Sequence, residues 1–142
     1  MSKTLADILL SENKPIPLHK TAIFCQGKAA LSYLELQAAW EKLKYILFTK
    51  DLQNQKRIGV LANSKKEALI FIGGIILSDN VYVPLDKNAP VERNLHIIED
   101  NQLHALVLDK DIKADYKLCV CVCAKWQQKR THQPNKAIYL YN

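Results

Sequence analysis

The chain has 142 residues, 49% hydrophobic and 24% charged, which is the composition of one ordinary globular domain and excludes a disordered segment. Its net charge of +6 permits contact with anionic surfaces without requiring it. The longest apolar run, Ala68 to Leu77, is well short of the roughly 20 residues that a bilayer span needs, and Met1 to Ser11 lacks the long apolar core of an export signal, so no membrane contact, a cytoplasmic location and reduced cysteines are expected.

Thr21 to Cys25 and Ala29 to Leu31 are short apolar runs separated by Gln26-Gly27-Lys28, which predicts a β-hairpin. Ser32 with Glu35 three residues on has the spacing of a capping box, and Leu31 and Leu36 flank it as a hydrophobic staple. Leu36, Trp40, Leu43 and Leu47 then repeat at helical spacing opposite Glu41, Lys42 and Lys44, so an amphipathic helix follows.

Ile58 to Ala62 is apolar without alternation, as in a strand covered on both faces. Ser64 and Glu67 repeat the capping spacing before a helix that is apolar almost all round, so it needs cover on several sides. Gly73 and Gly74 cost that helix stability, and their expected use is to let a neighbouring element come close. Asp79 and Asn80 are expected to end it, with Asn80 in the left-handed conformation.

Val81 to Val83 reads as a strand ended by Pro84. Pro90 opens a helix with Val91, Leu95 and Ile98 on its inner face, and Ala105 to Leu108 is the next strand. The fold class is therefore α/β: a parallel βαβαβ sheet layer with right-handed crossovers, preceded by a β-hairpin and a capped helix. Beyond Asp109 the pattern loosens into a β-rich run at Leu118 to Cys123, a polar loop at 127–136 and a strand at Ala137 to Tyr141.

Two segments carry a likeness. Leu31-Ser32-Tyr33-Leu34-Glu35-Leu36 resembles the L-[TS]-Y-x-E-L motif of adenylation domains, the carboxylate-activating domains of nonribosomal peptide synthetases and of their relatives, the acyl-CoA synthetases. Leu77 to Asp86 resembles L-K-A-G-x-A-Y-V-P-[IL]-D of the same superfamily, with Ser78-Asp79-Asn80 read against its Lys-Ala-Gly, and Ala89-Pro90-Val91-Glu92-Arg93 matches its Pro-x-Glu-Arg helix start. Residues 21–108 match well and residues 109–142 loosely.

The resemblance implies a partial N-terminal subdomain of an AMP-dependent synthetase/ligase. The parent reaction joins a carboxylate to ATP, giving acyl-AMP and pyrophosphate, then transfers the acyl group to a thiol of a carrier protein or coenzyme A. ATP and Mg²⁺ belong to that family, whose Ser/Thr/Gly-rich phosphate loop would begin where this chain stops at Asn142. The expectation is thus a truncated or split fragment, inactive alone and binding no cofactor by itself. Its expected partners are the remainder of the enzyme or a carrier protein, and it is expected to be prone to self-association. A non-catalytic interaction module is the alternative, and a basic nucleic-acid binder the weaker one.

No catalytic, cofactor-binding or metal residue is assigned. Cys119, Cys121 and Cys123 fall on one side of a strand, but zinc ligands typically follow Cys-x₂₋₄-Cys spacing, so buried thiols are preferred over a metal site completed by Cys25 or His132. His19, His96, His104 and His132 lie in no recognisable nucleophile context. Lys125, Lys129, Arg130 and Lys136, around Trp126, read as a solvated basic loop. Asp86 follows a strand end, where α/β proteins place ligands, and a turn carboxylate is the preferred reading.

Overall fold

Strands β1 (Thr21–Cys25) and β2 (Lys28–Ser32) form an antiparallel hairpin. Its turn residues, Gln26 (φ 52°) and Gly27 (φ 75°), both have positive φ, the backbone that matches the twist of two-residue hairpins. The computed structural model describes residues 17–109, Thr4, Leu5, Asp7, Ile112 and a final strand at Cys121–Ala124. The basic loop, the last expected strand and Cys119 and His132 lie outside the described residues.

Helix α1 (Tyr33–Thr49) starts as the sequence predicts. The Ser32 hydroxyl accepts from the Glu35 N–H at 3.2 Å, and the Glu35 carboxylate accepts from the Ser32 N–H at 2.7 Å. Leu36, Ala39, Leu43 and Leu47 are buried along one stripe. Trp40 is half-buried and its indole N–H donates to the Leu69 carbonyl at 3.3 Å.

Strand β3 (Arg57–Leu61), helix α2 (Lys65–Leu77), strand β4 (Val81–Pro84), helix α3 (Val91–Asp100), strand β5 (Ala105–Asp109) and strand β6 (Cys121–Ala124) follow. All four of these strands run parallel, in the order β4-β3-β5-β6. The sheet side chains divide cleanly by period two. Ile58, Val60, Ala105 and Val107 pack with α1 and α2, whereas Leu61, Leu106 and Leu108 pack with Ile98, Leu103 and the α3 side. The unbroken apolar runs of β3 and β5 are therefore explained by cover on both faces.

The two glycines of α2 lie against α1. A Cβ added at Gly73 would collide with the Trp40 ring, and one at Gly74 would meet the Leu43 Cβ at 2.7 Å. The helix pays for these glycines in backbone entropy, and the close helix pair is what they permit. Cover of α2 is incomplete at one point, since Leu69 is half-exposed.

Three expectations are corrected. The α2 terminus is a Schellman motif in which Asp79, and not Asn80, takes positive φ (56°). The Asn80 N–H donates to Ile75 O and the Asp79 N–H to Ile76 O, at 3.1 and 3.0 Å. Counted back from Tyr82-Val83-Pro84, the glycine of the adenylation motif falls on Asp79. Asn80 is instead buried, donating to Leu52 O at 2.9 Å and accepting from the Lys56 N–H at 3.0 Å. On α3, Pro90 is the N-cap residue and Val91 is exposed. Its inner face is built on Ile98 and the half-buried Leu95, as expected, together with Asn94, which is polar and only 1% exposed.

Candidate functional site

From β3 the chain runs outward to β4 and then back past β3 to β5. This reversal makes a topological switch point between β3 and β5, and ligands of open α/β sheets sit beyond the carboxyl ends of such strands. The residues placed there are Asn63 and Ser64 after β3, Asp86 and Lys87 after β4, and Asp109 at the end of β5.

These groups largely satisfy one another. The Asn63 N–H donates to the Asp109 carboxylate at 3.4 Å, and the Lys87 ammonium donates to the Asn63 carbonyl at 3.0 Å. Ser64 caps α2, its hydroxyl accepting from the Glu67 N–H at 3.4 Å. The Asp86 carboxylate accepts from the Asn88 N–H at 2.8 Å, which closes an Asx-turn. Asp86 thus holds a turn, as its position suggests. Asn94 clamps this turn from below: its amide donates to the Asp86 carbonyl at 2.7 Å and accepts from the Asp86 N–H at 3.4 Å.

Among the described residues, the side chains at this edge do not by themselves form a triphosphate cradle. A phosphate cradle needs several free N–H groups around a tight turn. Here the Asn63 N–H is committed to a carboxylate, and Asp86 and Asp109 add negative charge beside Lys87. What this edge does chemically is fix the loops after three parallel strands in one relative position.

The other expected positions stay apart. His19 and His96 are exposed, and the His104 ring accepts the Arg57 N–H at 3.1 Å, a structural bond. Cys25 is a half-buried free thiol on the hairpin, whereas Cys121 and Cys123 lie on β6, paired in register with Leu106 and Leu108. Among the described residues, no group of three or more His, Cys, Asp or Glu is arranged to hold a metal ion. No helix of the described residues is long and apolar enough to cross a membrane. Lys87, Asn94 and Asp109 are site residues that no motif in the sequence singles out. Lys87 and Asp109 each lie at or just beyond a predicted strand end, and that position was the available signal.

The geometry agrees with the comparisons. The chain is 26% identical to tyrocidine synthase 2 of Brevibacillus parabrevis over 131 residues, which is 92% of this chain and 4% of that synthase. It is 25% identical to bacitracin synthase 2 of Bacillus licheniformis, over 80% of this chain and 4% of that protein. The chain therefore spans only a small fraction of these curated relatives. Among solved structures, apo MatB from Rhodopseudomonas palustris superposes with a TM-score of 0.66 at 26% identity, covering 77% of this chain and 21% of that one. The N-terminal subdomain of Klebsiella oxytoca NpsA, bound to 3-hydroxybenzoyl-AMSN, shares the fold with a TM-score of 0.68 at 19% identity, covering 82% and 29%. The AMP-binding enzyme family profile matches residues 13–139. With its parallel sheet, its capped first helix and its Tyr-Val-Pro strand end, the chain belongs to the AMP-binding enzyme family.

Proposed function

We propose that this chain supplies the N-terminal scaffold of a carboxylate-adenylating ligase, and that these 142 residues alone do not make acyl-AMP. The observation that supports the reading is the strand-end donor set, whose side chains are, among the described residues, largely engaged with one another. Neither Gly-x-Gly-x-x-Gly nor Gly-x₄-Gly-Lys-Ser/Thr occurs in the sequence to supply a phosphate cradle elsewhere. ATP, Mg²⁺ and the carboxylate are then gripped by residues that the rest of such an enzyme provides. A carrier protein is a fitting thiol acceptor, since one similar solved structure is an artificially fused adenylation–PCP di-domain. ATP–pyrophosphate exchange measured on these residues should stay at background for all proteinogenic amino acids and common acyl acids. Exchange clearly above background would overturn the proposal.

A second reading, a non-catalytic module that docks a partner, draws support from the exposed apolar side chains. Phe24, Leu34, Leu69 and Val81 are each between 46% and 66% exposed. A concentration-independent monomer in light scattering, with two-state unfolding, would count against it.

A further inference from the structure

Helix α1 carries two stripes, and only one of them faces the core. Leu36, Ala39, Leu43 and Leu47 are buried. On the opposite side Leu34, Ala38, Glu41, Tyr45 and Phe48 are all exposed. Their spacing alternates four and three residues, so at 3.6 residues per turn they fall within roughly 80° of arc. Four of the five are apolar, and Leu34, Tyr45 and Phe48 are 46%, 68% and 64% exposed. Strict four–three spacing is the seam of a helix pair, narrower than the stripe of a helix lying on a globular core.

The order of residues along this seam says what covers it. Set antiparallel on a copy of itself, about a two-fold axis level with Leu43, the seam pairs Ala38 with the partner's Phe48 and Glu41 with the partner's Tyr45. Small then meets large in the outer layers, as close packing needs. The one charge in the seam is already compensated within each copy, because Glu41 pairs with Lys44 at 3.9 Å. Its methylenes are left to lie on the partner's Tyr45 ring. The same register carries Leu34 past the end of the partner's helix. There the molecule has a groove of about 490 Å³, walled by Tyr45, Phe48 and Asn54 among others, to receive it. A parallel pair would instead set Ala38 on Ala38, Glu41 on Glu41 and Phe48 on Phe48, which combines a void, a like-charge clash and a crowded layer.

We infer that the outer face of α1 is a self-association surface, on which a second copy of this chain docks its own α1 antiparallel. A single helix pair belongs to the small class of interfaces, below about 1,200 Å² in total, so the dimer is weak, with a Kd on the order of 100 µM. The surface shares no residue with the strand-end edge and is independent of the adenylation reading.

The test is sedimentation equilibrium of the 142-residue chain from micromolar to millimolar concentration, which should fit a monomer–dimer equilibrium. Phe48→Glu should weaken the dimer about tenfold or more, as loss of an aromatic anchor does. Ala38→Phe adds apolar surface and yet should also weaken it, because two large side chains then share one layer. The double variant Ala38→Phe with Phe48→Ala exchanges small for large and should restore the dimer. All three sites are exposed in the monomer, so circular dichroism should show the helix content unchanged. Orientation is read from isotope-filtered NOEs in a mixture of labelled and unlabelled chains. Ala38 and Phe48 lie ten residues apart on one helix, roughly 15 Å, so an NOE between the Ala38 methyl and the Phe48 ring arises only between copies. A monomer throughout the series would leave the stripe to some other occupant and overturn the proposal. So would open-ended aggregation, an unchanged dimer in Phe48→Glu, a tighter one in Ala38→Phe, or NOEs that join Phe48 to Phe48.

Discussion

Asn80 and Asn94 are each buried between two backbone segments and bond to both. A side-chain amide donates and accepts at once from two separate atoms, as a peptide group does, so it can replace a missing turn of secondary structure. Asn80→Ala leaves the Lys56 N–H and the Leu52 carbonyl without partners, and should cost about 2–3 kcal/mol in urea unfolding. Asp79 offers the reverse case. Its positive φ carries a penalty that glycine lacks, so Asp79→Gly should stabilise by about 0.5–1 kcal/mol, measured the same way. Neither role was legible beforehand. Sequence reasoning sees that Asp79-Asn80 terminates a helix, because both residues favour caps, but it does not see which of them turns. That choice depends on Leu52 and Lys56, more than twenty residues away along the chain, presenting bonding groups that only Asn80 reaches. The role of Asn94 is hidden from the sequence for a related reason. A polar residue at a helical position reads as solvent-facing until the strand end it clamps is in place.

At the level of elements, the first helix was readable because its signals are local: Ser32, Glu35 and the Leu36–Leu47 stripe lie within one segment. Ser32→Ala removes the cap and should cost about 1 kcal/mol, with the loss seen as reduced helix content and a lower urea midpoint. The glycine pair in α2 was readable in kind, as a close approach, but its partner was not. Gly73→Ala gains helix propensity, about 1 kcal/mol, yet drives a methyl into the rigid Trp40 ring. Overpacking of this kind typically costs about 1–3 kcal/mol, so the net effect should be destabilising by up to about 2 kcal/mol. Trp40→Phe in the same background should recover much of the loss, because the offending atoms belong to the indole.

For the molecule as a whole, β3 and β5 lie in the middle of the sheet and are covered on both faces, whereas β4 forms one edge. Amide exchange should therefore be slowest in Ile58–Leu61 and Ala105–Leu108 and distinctly faster in Val81–Val83; uniform protection across the sheet would contradict this layering. The βαβ alternation was legible because apolar runs and capping residues alternate plainly along the chain. The strand order was not, since nothing in the runs themselves says that β5 pairs with β3 on the side away from β4.

The edge position of β4 has a bearing on how the chain behaves at high concentration. Val81 and Leu85 point their N–H groups inward to Lys56 and Val60 carbonyls, at 2.9 and 3.0 Å, so alternation turns the backbones of Tyr82 and Pro84 outward. Pro84 has no N–H to offer, and an incoming strand would find a single outward donor at Tyr82. The proline of the Tyr-Val-Pro motif thus acts as a guard against sheet-to-sheet polymerisation. Pro84→Thr, which restores the donor, should shorten the lag before light scattering rises in concentrated solution on gentle heating.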